Sequence, residues 1–281
     1  MSAKLKDILG PVLPGEELEQ LVASYDVVGD IAIIIIPDEL SHRQGLIGEA
    51  LLANNNKLRV VAKRVGNYNG EFRTIVLEVI AGERRKETLV TEFGVRLQLN
   101  VETTYFSVRS GTERKRIASL VLPRESVLVM FSGVGPYPLI IAKHSNAKKV
   151  VGIEKNPLAH EYALKNLQLN RKINNVRFLL GDAGRLTTLL AERFERIVMP
   201  LPTMADTFLP VSLEMLGPKG GYIHYYEMAK TGSFAGAVSK IKKACEDANR
   251  KLLSSAITRC GHCGPKTYRI CVDALVSEKI K

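Results

Sequence analysis

The sequence lacks any apolar run long enough to cross a membrane. None of its 281 residues falls in a stretch approaching the roughly 20 apolar residues that a membrane-spanning helix needs. The amino-terminal segment MSAKLKDILGPVLPGEEL has acidic residues early and no long apolar core, so it is not a secretory signal peptide. These absences exclude an integral membrane protein, and we expect a soluble, cytoplasmic protein with no membrane partner.

Cysteine is scarce, which argues against a zinc domain. The four cysteines are Cys245, Cys260, Cys263 and Cys271. The segment CGHC at 260–263 spaces two thiols as zinc ligands are often spaced, but tetrahedral zinc takes four ligands and a second close pair is missing. Cys271 lies inside the apolar run YRICVDALV. We expect structural cysteines or one local disulfide, and no metal site.

From about Ser126 onward the sequence contains apolar runs that alternate with amphipathic ones. The strand-like runs are SVLVMF, KVVGIE, VRFLLGD, RIVMPLP and GGYIHYYEM, followed by SSAITRC and YRICVDALV around the turn-rich GHCGPK. Strands that alternate with helices predict parallel pairing, because each crossover needs a helix to cover the sheet. The closing hairpin adds an antiparallel last strand. The resulting seven-stranded, Rossmann-like α/β sheet resembles that of class I S-adenosylmethionine-dependent methyltransferases.

The first hundred residues show a different pattern. DIAIIIIPDEL, LRVVAKRV, FRTIVLEVIAG and RLQLNVETTYF are strand-like, and SHRQGLIGEALLAN is helical, without a regular alternation of helix and strand. This pattern is typical of a small α+β module. We therefore predict two domains, over residues 1–105 and 106–281.

A glycine turn and two acidic residues indicate a cofactor site in the second domain. Gly133 and Gly135 directly follow the first strand, where backbone can approach a ligand at the edge of an open sheet. Glu154 ends the second strand and can accept from ribose hydroxyls, and Asp182 ends the third and can accept from an adenine amino group. Helix capping is the simpler role for each acid. The third glycine of a dinucleotide fingerprint is missing near Leu139, so the combination favours an adenosyl cofactor.

Negative charge is in deficit, with 40 basic against 29 acidic residues and a net charge of +11. Such an excess favours polyanionic partners. The basic residues form two clusters that both precede the glycine turn. One surrounds the single carboxylate of Glu113, and the other lies earlier in the chain: Arg109, Arg114, Lys115, Arg116 and Arg124, then Lys57, Arg59, Lys63, Arg64 and Arg73.

Four segments carry a specific resemblance. YFSVRSGTERKRI, MFSGVGPYPL, EKNPLAHEYALKNLQLN and GGYIHYY resemble the archaeal and eukaryotic tRNA guanosine-37 N1-methyltransferase family. They are similar, to a lesser degree, to the sister family of wybutosine-synthesis aminocarboxypropyltransferases. The resemblance covers residues 60 to 230 in detail, and the spacing of Arg109, Glu113 and Arg114 is its most diagnostic part.

The resemblance implies roles for individual residues. Glu113 would be the general base for the guanine N1 proton, with Arg109 and Arg114 positioning that base and the RNA. Arg73 would stabilise negative charge on guanine O6. S-adenosyl-L-methionine would be the cofactor, and the cofactor-binding residues would be Phe131, Gly133, Gly135, Glu154, Asp182 and Pro200. The first domain would bind RNA, the second would be catalytic, and the partner would be the anticodon stem-loop of tRNA, bound by an enzyme expected to be a monomer.

Proton removal by Glu113 is chemically reasonable, since a nucleophilic N1 requires loss of its proton and a nearby cation spreads the charge on O6. The surrounding cations oppose this role because they lower the basicity of a carboxylate. Without the resemblance, an ordinary surface cluster of ion pairs explains the same residues.

Two positions depart from the family pattern and keep alternatives open. The family has an acid where this chain has Val129, and an asparagine where it has Pro200. From the sequence we also expect no counterpart of the family's amino-terminal domain, which grips the tRNA elbow. Arg109 favours methyl transfer, whereas the missing asparagine and elbow domain favour aminocarboxypropyl transfer. A non-catalytic RNA-binding relative is the third interpretation.

Overall fold

The structure is a computed structural model that describes residues 5–22 and 24–280, and for residues 187–189 only the backbone. The chain divides into two compact units, Met1–Val108 and Arg109–Lys281. None of the helices in these described ranges combines the length and apolar character needed to span a bilayer.

The first unit contains a four-stranded sheet and a separate hairpin. Its elements are α1 (Leu5–Leu9), α2 (Gly15–Gln20), β1 (Tyr25–Val28), β2 (Ile31–Ile34), α3 (Gln44–Asn54), β3 (Val60–Asn69), β4 (Thr74–Gly82), β5 (Glu87–Glu92) and β6 (Val95–Asn100). The sheet order is β1-β2-β3-β4, and β5 pairs only with β6. Fully buried Ile34, Ile47 and Leu51 join the sheet and α3 in one apolar core.

One connection in this unit differs from the sequence prediction. β2 and β3 pair in parallel, and α3 forms the crossover between them. The unit therefore contains one βαβ segment, although the sequence pattern indicated no alternation of helix and strand. The pairing is parallel because the crossover through α3 is long enough to return the chain to the end of the sheet where β2 begins.

The second unit contains the predicted seven-stranded sheet. Its strands are β7 (Ser126–Met130), β8 (Lys149–Glu154), β9 (Val176–Leu180), β10 (Arg196–Met199), β11 (Gly221–Lys230), β12 (Leu252–Gly264) and β13 (Thr267–Val276). The order is β12-β13-β11-β10-β7-β8-β9, with β13 antiparallel to both of its neighbours. The prediction of a Rossmann-like α/β sheet with an antiparallel last strand is confirmed.

Helices cover both faces of this sheet. They are α4 (Gly111–Leu120), α5 (Pro136–His144), α6 (Pro157–Leu169), α7 (Ala183–Leu189), α8 (Leu209–Met215) and α9 (Phe234–Asp247). The start of α6 is clearly encoded: Asn156 caps it through its side chain, and Pro157 occupies the first turn, where its missing N–H costs nothing.

The two faces of the β11–β13 pair differ in polarity because side chains alternate along a strand. Ile223 and Tyr225 lie on one face, in an apolar cluster that includes Ile241 of α9. His224 and Tyr226 lie on the other face, as do Cys271 and Asp273 of β13 by register. This second face, which we call the polar face, carries the hydrogen bonds to α4.

The CGHC segment lies in a strand and not in a turn. β12 extends to Gly264, and its register with β13 shifts on either side of Gly261. All four cysteines are free thiols: Cys245 and Cys271 are buried, Cys260 is half-buried and Cys263 is exposed. The local disulfide that the spacing permitted is therefore not formed.

Gly135 lies where the glycine turn packs against the Phe178 ring. Its φ is +90°, and an added Cβ would lie 2.7 Å from the Phe178 ring. Gly232 has nearly the same φ, +89°, with nothing within 4 Å of its Cβ position. Both alanine variants carry the backbone cost of a left-handed residue, but only Gly135→Ala must displace the ring.

We expect Gly135→Ala to lower the free energy of unfolding by about 2 kcal/mol more than Gly232→Ala does, the magnitude typical of an overpacked site. Urea denaturation of the two variants measures the difference directly. Equal losses would show that the contact with Phe178 relaxes without cost.

Candidate functional site

The predicted cofactor residues meet at one edge of the sheet. β7, β8, β9 and β10 are parallel neighbours, so their carboxyl ends lie at the same edge. β7 stands where the strand order reverses, the usual ligand position in an open α/β sheet. The residues at or just beyond these strand ends are Phe131, Gly133, Gly135, Glu154, Asp182 and Pro200.

Glu154 links two of the strand ends. Its Oε2 accepts from the Gly133 amide at 2.7 Å, and its Oε1 accepts from the Asn156 amide at 2.7 Å. Burial raises the pKa of this carboxyl, although the backbone hydrogen bonds act in the opposite direction. The Lys155 backbone also hydrogen-bonds this carboxylate. Three of its roughly four acceptor positions are therefore used within the protein, and one remains for a ribose hydroxyl.

The turn after β7 has an unusual backbone. Phe131 adopts φ +57°, a left-handed conformation that costs a non-glycine residue energy, and Gly133 follows at φ +56°. The Phe131 ring packs edge-to-face on Phe208 at 4.8 Å between centroids. At Gly135 the close approach is to the Phe178 ring. The glycines thus shape the turn, and Gly135 also serves packing within the unit.

Asp182 is a helix cap in this structure. Its Oδ1 accepts from the Gly184 amide at 2.8 Å at the start of α7, and Lys155 lies 2.9 Å from Oδ2. The hydrogen bond with Lys155 is the main cause that lowers the pKa of this carboxyl. Its predicted contact with an adenine amino group stays a prediction.

The two departures from the family pattern lie at this same edge. Val129 is fully buried within β7, so it contributes only to the core. Pro200 directly follows β10 and is partly exposed, and the neighbouring Leu201 amide donates to the Met199 carbonyl at 2.8 Å. Neither position supplies a polar side chain to a ligand.

Glu113 lies on α4 and is buried, with 5% of its surface exposed. Arg116, one turn further along the helix, binds it bidentately: Nε donates to Oε2 and Nη2 to Oε1, each at 2.7 Å. The Tyr226 hydroxyl donates to Oε1 at 2.6 Å. A surface cluster of ion pairs, the simpler interpretation of the sequence, does not describe this buried carboxylate.

A pair of tyrosines connects Glu113 to the glycine turn. Tyr226 on β11 and Tyr137 on α5 are hydrogen-bonded through their hydroxyls at 3.2 Å, and burial raises the pKa of both. Tyr137 is two residues beyond Gly135. Tyr225 and Tyr226 are both 1% exposed, so neither ring is open to stacking on a base. Tyr225 faces the apolar side and donates to Glu227.

The two arginines singled out from the sequence are not the ones that hold Glu113. Arg109 is exposed, and Arg114 is buried with its guanidinium 5.7 Å from the centre of the Tyr137 ring. The arginine that binds Glu113 is Arg116, which the sequence pattern marked only as one of several basic residues. Its spacing of three from Glu113 was the available signal, since residues three apart share a helix face.

Asp273 of β13 binds the far side of the same guanidinium. Arg116 Nη1 donates to Oδ2 at 2.6 Å and Nη2 to Oδ1 at 3.2 Å. Burial acts to raise the pKa of Asp273, but hydrogen bonds with His224 and Arg116 outweigh it and leave that pKa well below its usual value. Asp273 is therefore ionised, and no feature of the sequence pattern had marked it.

His224 continues the chain of contacts. It is fully buried on β11, its Nδ1 lies 2.6 Å from Asp273 Oδ1, and its Nε2 lies 2.7 Å from Arg196 Nη1. Burial lowers the pKa of His224, so the ring is neutral. Because carboxylates only accept and guanidinium groups only donate, we assign the proton to Nδ1. No local pattern in the sequence indicates these hydrogen bonds of His224.

Arg196 and Glu125 end this series of contacts. Arg196 is 1% exposed and donates to both oxygens of Glu125, at 2.7 and 3.0 Å. From Glu113 to Glu125 the charged groups alternate in sign along the polar face, with neutral His224 between them. The series is Glu113, Arg116, Asp273, His224, Arg196 and Glu125, and we call it the buried network.

Two members of the buried network and the neighbouring Cys271 form a cluster of potential metal ligands. Ligand atoms of His224, Cys271 and Asp273 lie within 4.8 Å of one another. Two guanidinium groups already bind Asp273 and His224, and burial raises the pKa of the Cys271 thiol well above its usual value. A cation would compete with both arginines and require a thiolate, so this cluster is poorly suited to a metal.

Arg73 lies in the first unit, in the turn between β3 and β4, and has φ +51°. Its guanidinium lies 4.7 Å from the centre of the Tyr105 ring, and Arg64 lies 5.2 Å from that of Tyr68. The two tyrosines contact each other edge-to-face at 5.7 Å, and both are more than a third exposed. Two cations and two accessible rings thus form one surface cluster.

Two family models match consecutive parts of the chain. The TYW2 N-terminal domain matches residues 5–85, and the TRM5/TYW2 methyltransferase domain matches residues 88–253. The second match alone covers more than half of the chain.

Individual relatives agree with these models. The chain is 35% identical over 268 residues to the tRNA (guanine(37)-N(1))-methyltransferase Trm5b of Pyrococcus abyssi, covering 94% of this chain and 78% of the relative. It is 30% identical over 251 residues to the tRNA(Phe) (4-demethylwyosine(37)-C(7)) aminocarboxypropyltransferase of Methanocaldococcus jannaschii, covering 89% and 96%.

A solved structure is similar over nearly the whole chain. The complex of aTrm5 with tRNALeu superposes with a TM-score of 0.83 at 32% identity, covering 98% of this chain and 78% of that one. Together with the sheet order, the glycine turn and the match over residues 88–253, these similarities establish that the chain belongs to the TRM5/TYW2 methyltransferase family.

Proposed function

We propose that this protein transfers a methyl group from S-adenosylmethionine to N1 of guanosine 37 in the anticodon loop of tRNA. Family membership and the 35% identical Pyrococcus abyssi methyltransferase support the reaction, and the similarity to the aTrm5–tRNALeu complex supports tRNA as substrate. The observation that carries the proposal is the buried carboxylate of Glu113, linked through Tyr226 and Tyr137 to the helix after the glycine turn.

Glu113 is the proposed general base. The N1–H of guanine must be lost for N1 to act as a nucleophile, and a positioned carboxylate can take that proton. As the N1–H bond breaks, the proton goes to Glu113 and the electron pair stays on N1. Arg116 and Tyr226 fix the orientation of the carboxylate before substrate arrives. This fixed geometry supplies the positioning that general-base catalysis requires.

The residues at the sheet edge fit the adenosine part of the cofactor. Glu154 keeps one acceptor position for a ribose hydroxyl, and the turn from Phe131 to Gly133 brings backbone to the end of β7. When bound, S-adenosylmethionine supplies an electrophilic methyl group. Asp182 is the proposed partner of the adenine amino group, although here it caps α7. Because Val129 and Pro200 have no polar side chain, contacts to the amino-acid part of the cofactor must come from backbone groups.

The first unit is proposed to contact RNA through the cluster around Tyr68 and Tyr105. Bases stack on exposed aromatic rings, and nearby guanidinium groups attract the phosphate backbone. Arg73 stays the candidate for stabilising charge on guanine O6, as the resemblance implies. We keep the proposed division into an RNA-binding domain over residues 1–105 and a catalytic domain over 106–281, working as a monomer in the cytoplasm.

Aminocarboxypropyl transfer is the second candidate function. It is favoured by the amino-terminal match to the TYW2 model and by the Methanocaldococcus jannaschii relative, 96% of which is covered. The two reactions use one cofactor and differ in the group that is transferred. The protein is incubated with S-adenosylmethionine and either unmodified tRNA or tRNA that carries 4-demethylwyosine at position 37, the base named for that relative. Digesting the RNA and weighing the nucleosides separates the two reactions. A gain of one methyl on guanosine supports the proposal, and no methylated guanosine refutes it.

Glu113→Gln tests the base. The amide cannot accept the N1 proton, so we expect methylation to slow by about 100-fold or more, the lower range for loss of general-base catalysis. tRNA affinity is expected to stay nearly unchanged. Glu227→Gln is the matched control, because Glu227 also accepts from a tyrosine of β11, on the opposite face. Equal loss of turnover in both variants, or loss of tRNA binding with Glu113→Gln, would contradict the assignment.

Tyr68→Leu tests the RNA surface. Loss of one stacking ring is expected to weaken tRNA binding by about 10-fold, in line with the binding free energy that stacking of a base on an aromatic ring contributes. Tyr68→Phe keeps the ring and is expected to bind normally. Phe93→Leu, at another exposed ring of the same unit, serves as the control. Fluorescence anisotropy with labelled tRNA measures all three, and unchanged affinity for Tyr68→Leu would exclude stacking at this position.

A further inference from the structure

Arg116 is held between two carboxylates. Its Nε and Nη2 bind Glu113, while its Nη1 and Nη2 bind Asp273. A guanidinium has five N–H donors in a rigid plane, so fixing one edge fixes the direction of the other. The position of the Glu113 carboxylate therefore depends on a residue that is 160 positions away in sequence and does not touch it.

Asp273 is itself fixed from behind. His224 donates to Oδ1 through Nδ1, and the other ring nitrogen accepts from Arg196. The register pairs His224 directly with Asp273 across β11 and β13, so both side chains project on the polar face. Cys271 Sγ also lies 3.3 Å from Oδ1. The sheet holds this carboxylate in one place and one orientation.

These contacts leave few positions at which Glu113 can accept a proton. A carboxylate has about four acceptor positions. Oε1 uses two of them, for Arg116 Nη2 and the Tyr226 hydroxyl, and Oε2 uses one, for Arg116 Nε. The remaining position is on Oε2, which makes this atom the one available to a substrate proton.

We propose that Asp273 is a positioning residue for proton removal: it holds Arg116 so that Glu113 presents Oε2 to the N1–H of the substrate. This inference rests on the proposed function of Glu113 as the base. Asp273 acts through Arg116. It also sets the local net charge, because two carboxylates share one cation. Arg116 alone would neutralise Glu113, whereas the shared guanidinium leaves the group of three with one net negative charge.

The test compares Asp273→Asn with Asp273→Glu. Asparagine keeps the size of the side chain but removes the charge, so we expect kcat to fall by about 10- to 100-fold, the range of loss for a misplaced catalytic group. KM for tRNA and for S-adenosylmethionine is expected to change by less than about 2-fold, since Asp273 is not proposed to touch either. Glutamate restores the charge and is expected to recover part of kcat.

Asp30→Asn is the matched control in the first unit. Asp30 also receives both terminal nitrogens of an arginine, Arg85, and a third hydrogen bond, from Thr88. Any fall in kcat in Asp30→Asn reports the general cost of removing an ion-paired aspartate. Thermal unfolding of all variants shows how much folded protein is present. We expect Asp30→Asn to retain the kcat of the unaltered protein.

Several outcomes would overturn the inference. They are an unchanged kcat in Asp273→Asn, a fall in kcat equal to that in Asp30→Asn, or a loss that lies wholly in KM. Failure of the proposed function is distinguishable, because it is seen in the unaltered protein as the absence of methylated guanosine. If the unaltered protein methylates guanosine and Asp273→Asn does so at the same rate, only the proposed positioning role of Asp273 is refuted.

Discussion

The site depends on one guanidinium that is shared by two carboxylates inside the protein. Moving charged groups from water into a protein interior costs several kcal/mol for each ion, and mutual attraction repays this only when the geometry is good and every donor is satisfied. Each guanidinium nitrogen of Arg116 donates to Glu113 or Asp273, and each of Arg196 donates to Glu125 or His224. A quarter of the Arg116 side chain is exposed, which lowers its desolvation cost. Each group thus needs its neighbours, because removing one partner leaves an uncompensated buried charge.

The alternation of side chains along two strands makes this arrangement possible. On β11, Tyr225 faces the apolar cluster under α9 while Tyr226 faces α4 and donates to Glu113. On β13, Val272 belongs to the apolar cluster and Asp273 to the polar face. A shift of one residue in the β11–β13 register would exchange these sets, placing charges in the apolar core. The packing of α9 therefore also fixes the position of the base.

The sequence predicted the sheet of the second unit well, since its strands are apolar runs separated by glycines and helix caps. β1 and β5 were not predicted, because they are short and only partly buried. Glu113 was found through its motif, but Asp273 and His224 were not. They meet only through the pairing of β11 with β13, which no local pattern specifies. Arg116 was visible at a spacing of three, yet such a pair on an exposed helix contributes little, and its burial could not be read from sequence.

The charges of the buried network nearly cancel. Glu113, Asp273 and Glu125 contribute three negative charges, Arg116 and Arg196 contribute two positive charges, and His224 is neutral. The buried network therefore carries one net negative charge while Glu113 is ionised. Arg114 is also buried and lies outside this count, with its guanidinium over the Tyr137 ring. The cations that pair with the carboxylates of the buried network are Arg116 of α4 and Arg196 of β10. They differ from Arg109 and Arg114, the two that the family motif singles out.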